Sequence, residues 1–199
     1  MMQIELIPFP IIVSAPSGTG KTTVIKKVVE RLPYLEKVAT LTTRPPRKGE
    51  ISGKDYKFVS EQEFWDWVNT GNVYEYATVY GYHYATPKPD VERILGEGRY
   101  PIMALDIQGV KSMRKIFTDA LYIFLIPPSW EEWRSRLTMR GAENIDKRMV
   151  AAKEEIDEWR MFDYVVVNDE LEATVELVSK IIDVERYNIK HIKVNYATL

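Results

Sequence analysis

Residues 15–23 read Ala-Pro-Ser-Gly-Thr-Gly-Lys-Thr-Thr and lie between two segments of different periodicity. Before them, FPIIVSA (9–15) is a continuous apolar run, as expected of a strand buried on both faces. After them, from about Lys21 to Leu32, apolar residues return at helical spacing. A strand, a Gly-rich turn and a helix together give this motif its mechanism. Gly18 and Gly20 let backbone N–H groups turn toward phosphate oxygens, and the positive end of the helix reinforces them. Lys21 would reach the β- and γ-phosphates of a nucleoside triphosphate, and Thr22 would ligate Mg²⁺. Ala15 stands where glycine is commoner in this phosphate-loop pattern. The motif therefore predicts a nucleotide site and an α/β fold around it.

The rest of the chain follows that rhythm. EKVATLT (36–42), YPIMALD (100–106), ALYIFLI (120–126) and DYVVVN (163–168) read as further strands. Helical patterns fall at about 107–117, 129–139, 148–160 and 170–186. Strands alternating with helices imply a parallel sheet flanked by helices on both sides. The stretch 55–86 breaks the pattern: DYKFVS and NVYEYATVYGYHYAT read as aromatic-rich antiparallel strands around one short helix, SEQEFWDWVNTG. This is expected to be a small αβ insert whose aromatic residues form its own core. Trp130 and Trp133, three apart on a helix, are likewise read as packing. The tail 188–199 fits either a strand or a disordered end.

Composition excludes several classes of function. Acidic and basic residues nearly balance, for a net charge of −2, so general nucleic-acid or anionic-membrane binding is not expected. With no cysteine and two distant histidines, His83 and His191, neither thiolate chemistry nor a histidine-built metal site is expected. ALYIFLIPP falls far short of the roughly 20 residues of a membrane span. The N-terminus lacks a basic stretch and is broken by Pro8 and Pro10, so no signal peptide is read. A soluble cytoplasmic protein is the expectation.

One basic cluster stands apart from this balance. In LTTRPPRKGEISGKDY (41–56), Pro45 and Pro46 keep the backbone out of a helix, so Arg44 and Arg47 sit on a stiffened loop. Two guanidinium forks near a nucleotide site suit a second phosphate; the alternative is a solvated basic turn. A GTP hydrolase would carry an N/T-K-x-D element, and the chain has none.

Taken together, SAPSGTGKTT, TTRPPRKGEISGKDYKFVS, GNVYEYATVYGYHYAT, LDIQGV, IFLIPPS, RLTMRG and FDYVVVND resemble the guanylate kinase family, in one order, over about residues 10–186. The resemblance implies the P-loop nucleoside monophosphate kinase fold. It implies one domain over 1–199, with a core of about 9–42, 87–134 and 149–186. A GMP-binding insert of about 43–86, an arginine-bearing lid of about 135–148 and the tail 187–199 complete it. It implies Mg²⁺-dependent transfer of the ATP γ-phosphate to GMP, with dGMP left open as an acceptor. ATP would lie on Ala15, Pro16, Ser17, Gly18, Thr19, Gly20, Lys21, Thr22 and Thr23, with Asn168 at the adenine.

For GMP, the resemblance implies phosphate contacts from Arg44, Arg47, Tyr56 and Tyr84. It puts Glu75 on the guanine, accompanied by Thr40, Thr86 and Asp106. A carboxylate can accept from both N1–H and the 2-amino group of guanine, whereas adenine offers an acceptor at N1. Lys21, Arg44, Arg136, Arg140 and Arg148 would stabilise the transferring phosphoryl group, Arg136 and Arg140 sharing a helix face at i,i+4. The attacking phosphate oxygen is already ionised, so no general base is needed.

The chain also departs from the family pattern. Ala104 stands where an acid is usual, Ala85 replaces a glycine, and the lid between Gly141 and Arg148 is about three residues short. Two rival functions differ in class: another small-molecule P-loop kinase, which should lack the Glu75 and Thr40 base-reading set, and a non-catalytic interaction module, which should lack Lys21. Oligomeric state is not legible.

Overall fold

The structure, a computed structural model, describes residues 2–79, 81–139 and 145–196. The chain opens with β1 (Met2–Leu6), crosses Pro8 and Pro10 into β2 (Ile11–Ser14), and turns through the phosphate-loop motif into α1 (Lys21–Arg31). Two short strands follow, β3 (Leu35–Lys37) and β4 (Thr40–Thr42), then β5 (Tyr56–Phe58), α2 (Glu61–Asn69), β6 (Val73–Val79) and β7 (Tyr82–Pro87). The chain then alternates through α3 (Lys88–Gly96), β8 (Tyr100–Leu105), α4 (Ile107–Ile116), β9 (Leu121–Ile126) and α5 (Trp130–Met139). It ends with α6 (Ile145–Asp157), β10 (Tyr164–Val167), α7 (Leu171–Glu185) and β11 (Ile192–Tyr196).

Five strands pair in the order β10-β9-β2-β8-β3, all parallel. Apolar residues alternate between two cores. Ile11 and Val13 of β2, with Leu121, Ile123 and Leu125 of β9, pack beneath α1 and α7 on Val24, Val28, Val178 and Ile182. Ile12, Tyr122 and Phe124 face the other way, onto Val91 and Ile94 of α3 and Val110 and Met113 of α4. Burial on both faces is why these strands read as unbroken apolar runs, and each such side chain contributes about 1.5–3 kcal/mol. The parallel sheet with helices on both sides is as expected from the sequence.

A second sheet, in the order β5-β4-β7-β6, forms the insert. It packs beneath α2 on Leu41, Phe64 and Ala85. Ser60 and Glu63 cap α2 reciprocally, which anchors its start. Ala85 is fully buried in this core, so its methyl serves packing.

The structure corrects several element assignments. EKVATLT is not one strand: β3 joins the parallel sheet and β4 the insert sheet, with buried Val38 and Ala39 between them. The β3 half, Glu36 and Lys37, is charged and only partly buried, whereas Thr40–Thr42 is buried in the other sheet. β5 pairs with β4 parallel rather than antiparallel. The helix expected at 148–160 is already present at Ile145 and tightens after Asp157 into a 3₁₀ turn, Glu158–Met161. α3 was not expected, although Val91, Ile94 and Leu95 have helical spacing and Pro89 sits in its first turn. Within the tail, Ile192–Tyr196 is a strand: β11 pairs antiparallel with β1, Leu6 opposite Ile192 and Ile4 opposite Val194. Among the described residues, no helix is long and apolar enough to cross a membrane.

Candidate active site

Between β2 and α1 the motif loop turns on two residues with positive φ, Gly18 at 90° and Gly20 at 103°. No side chain caps α1 and no acid occupies its first turn, which leaves its positive end for an anion. Pro16 accepts the Thr19 N–H within the loop at 3.2 Å. Ala15 and Thr19 are buried, while Thr22 and Thr23 are exposed at the start of the helix.

Three contacts brace this loop from outside. Trp133 of α5, fully buried, donates its indole N–H to the Ser17 carbonyl at 2.9 Å. A Cβ on Gly18 would meet Leu137 Cδ2 at 2.5 Å, so glycine there also admits α5. Arg148 of α6 donates to Ser17 Oγ at 3.1 Å. Asn168, just past β10, is buried and donates its amide to the Thr19 carbonyl at 2.6 Å. The read of Trp133 as packing therefore misses its polar end, which holds the loop.

Beside the loop lies a cleft of about 340 Å³, lined by Gly20, Thr23, Arg136, Met139, Asn168 and Leu171 among others. Arg136 is anchored there, donating to the carbonyls of Asn168 (2.8 Å) and Asp169 (3.2 Å) and to Glu132 (3.0 Å). Arg140 and the following residues through 144 lie outside the described residues.

Lys21 is turned toward the end of β8, where its Nζ donates to the Leu105 carbonyl at 2.7 Å. Burial pushes its ammonium pKa down, and the charges of Asp106 and Glu155 oppose that shift. Glu155 was not anticipated from the sequence. It lies on α6 seven residues after Arg148 and three after buried Ala152, which packs on Trp133 and Leu137. Burial pushes its carboxyl up to about 7, against the pull of Lys21. The two-turn spacing from Arg148 was the available signal, because residues so spaced share a helix face.

Asp106 joins this region to the insert. It caps α4, accepting the Gly109 N–H at 2.7 Å. Across Gly109 lies Glu75 of β6: a Cβ on Gly109 would meet Glu75 Oε2 at 2.9 Å and Asp106 Oδ1 at 3.4 Å. The glycine in LDIQGV thus admits the carboxylate. Glu75 is only 7% exposed and accepts from Thr86 Oγ1 of β7 at 2.6 Å. Burial pushes its carboxyl up to about 7; the Thr86 hydrogen bonds oppose this, and the Asp106 charge adds to it.

Thr40 of β4 is buried and paired in register with Tyr56 of β5, while Thr42 is paired with Tyr84 of β7. The Tyr56 and Tyr84 rings meet edge to face at 6.4 Å, and the Arg44 guanidinium lies over Tyr56 at 5.2 Å. Arg44 is buried and Arg47 exposed. Pairing of β4 with both β5 and β7 brings together residues distant in sequence. Ala104 packs against the core on β8, two residues before Asp106, and supplies no acid there.

A sequence model described as guanylate kinase matches residues 8–185, leaving β1 and β11 outside it. The chain is 39% identical to a guanylate kinase of Clostridium tetani, over 92% of this chain and 89% of that one. It is 40% identical to one of Geobacter metallireducens, over 88% of each. The crystal structure of guanylate kinase from Anaplasma phagocytophilum superposes with a TM-score of 0.83 at 31% identity, covering 96% of this chain and 92% of that one.

Proposed function

The chain belongs to the guanylate kinase family, and from that premise we propose that it transfers the ATP γ-phosphoryl group to GMP, with the two substrates meeting across Asp106. The observation that carries the reading is the shared flank of Asp106: the phosphate-loop lysine lies on one side, at the Leu105 carbonyl, and the buried Glu75 on the other. ATP phosphates would lie on the loop 15–23 at the open end of α1. The adenine would enter the cleft between Arg136 and Leu171. Asn168 braces the Thr19 carbonyl through one amide N–H, and its second N–H and its oxygen would meet the adenine. Arg44, Arg47, Tyr56 and Tyr84 would take the acceptor phosphate, and Glu75, with Thr40 and Thr86, the guanine edge.

An oxygen of the GMP phosphate forms the new bond to the γ-phosphorus as the bond to the ADP oxygen breaks. Positioning and charge stabilisation supply the rate. Lys21 leaves the Leu105 carbonyl for the phosphates, and Arg148, already at Ser17, lies beside them.

The residues also fit a magnesium ion. Thr22 offers an exposed hydroxyl oxygen, and among the described residues no group of three or more His, Cys, Asp or Glu side chains could cage a metal. Mg²⁺ is usually held by few protein oxygens together with substrate phosphates. When bound, it would neutralise charge on the transferring phosphates. The proposed setting is the cytoplasm, with ATP and GMP as small-molecule partners.

A coupled ADP-release assay over GMP, AMP, CMP and UMP tests the reading. GMP is expected to be preferred in kcat/KM by at least a hundredfold. Comparable rates with AMP would overturn it.

A further inference from the structure

Two arginines on one short loop require a compensating charge, and in the free protein it comes from within the loop. Glu50 accepts from Arg44 Nη2 through both oxygens, at 2.8 and 2.9 Å. Its Oε2 also accepts the backbone N–H of Arg47 at 2.7 Å. The Glu50 N–H returns to the Arg47 carbonyl at 3.1 Å and closes the turn. One carboxylate therefore ties the side chain of the first arginine to the backbone of the second. The Arg44 side chain is 8% exposed and that of Glu50 is 19% exposed. Arg44 also donates to the Pro45 carbonyl at 2.7 Å and lies over Phe58 as well as Tyr56.

A buried guanidinium without a partner would be costly, and its long side chain has many rotamers to lose. A guanidinium carries five N–H donors in a fixed fork, and the contacts to Glu50 and Pro45 leave donors over for a phosphate. We propose that Glu50 is the positioning residue of the acceptor-phosphate site: it holds the Arg44 fork in place before the nucleotide arrives and couples it to Arg47. This rests on the reading that the loop binds the phosphate of GMP. Preorganisation of this kind lowers the ordering cost of binding.

The test is Glu50→Gln, which keeps the shape and one acceptor oxygen but removes the charge, alongside Glu50→Asp and Arg47→Met. Steady-state kinetics, the inhibition constant of guanosine and a thermal melt are measured for each. For Glu50→Gln the KM for GMP is expected to rise about tenfold. The KM for ATP and the guanosine inhibition constant should stay within about twofold, since neither ligand presents a phosphate to this loop. Glu50→Asp, which keeps the charge on a shorter arm, should fall between Glu50→Gln and the native protein.

A lower KM for GMP in Glu50→Gln would overturn the proposal, because Glu50 would then be competing with the phosphate. Equal weakening toward GMP, guanosine and ATP, or an unchanged KM for GMP, would also overturn it. Arg47→Met separates the two levels. If it leaves the KM for GMP unchanged, the loop does not bind the phosphate. If it raises that KM while Glu50→Gln does not, only the positioning role fails.

Discussion

On the proposed donor side of the molecule, phosphate would be met by a loop of nine consecutive residues whose backbone turns on two glycines and which includes one lysine. On the proposed acceptor side it would be met by two side-chain forks on a proline-stiffened loop, with Tyr56 and Tyr84 added from two strands. The two sides are also quieted differently in the free protein. Lys21 is parked on a neutral carbonyl within reach of the charges of Asp106 and Glu155, whereas Arg44 is held by direct bonds to the Glu50 carboxylate. A lysine is a flexible point charge that can move with the reaction, and an arginine fork loses less freedom per bond when it is held in one place. The donor side is therefore suited to following charge as it develops, the acceptor side to presenting fixed geometry.

The contrast breaks first at Lys21. Lys21→Ala should lower kcat by about 10²–10³-fold or more, because its stabilisation grows in the transition state, while GMP binding is largely spared. Turnover within about threefold of the native protein at saturating Mg-ATP would remove the donor side's distinguishing feature. Arg47→Met should instead act on binding, raising the KM for GMP by about ten- to a hundredfold with the KM for ATP little changed. Equal weakening toward both nucleotides would erase the division between the sides.

Glu75→Gln sharpens the comparison within the acceptor side. Glutamine has one acceptor oxygen, and its NH₂ would face a guanine donor, a mismatch of roughly 1–3 kcal/mol. Efficiency with GMP should fall at least tenfold, while activity with AMP stays flat or rises. The same change should raise the melting temperature of the unliganded protein by a few degrees at pH 8, where the native protein must bury a charge. A loss of stability equal to the loss of activity would mean that Glu75 serves the fold instead.

The smallest effect is in pH. The Glu75 carboxyl is raised to about 7 in the folded protein, so its contribution to stability is full below its unfolded pKa near 4.5 and is lost as pH rises through about 7. Guanine recognition runs the other way, because it needs the ionised form. The KM for GMP should rise as pH falls below about 7, approaching tenfold per pH unit, and part of that slope should disappear in Glu75→Gln. The GMP phosphate itself gains a proton near pH 6, and the slope remaining in the variant measures that share. An identical slope in both proteins would show that Glu75 does not titrate in this role.

What the sequence determined by itself was the part whose physics is local. The phosphate loop is legible because its glycines, lysine and helix start are contiguous and their mechanism is a backbone mechanism. The strands at 100–105 and 121–126 are legible because burial on both faces leaves an unbroken apolar run. The resemblance of several motifs in one order then supplied the roles proposed for Arg44, Arg47 and Glu75.

Tertiary structure decided what depends on distant partners. The run 36–42 divides between two sheets, although no glycine or proline interrupts it. Asn168 braces Thr19 across 149 positions, and Trp133 holds Ser17 across 116. Glu155 becomes a neighbour of Lys21 only because α6 packs on α5. Residues 2–6 and 192–196 form a ribbon only because these two distant segments meet. In each case the free energy comes from a contact closed over a long loop, and no local pattern of residue types encodes which distant group will be there to make it.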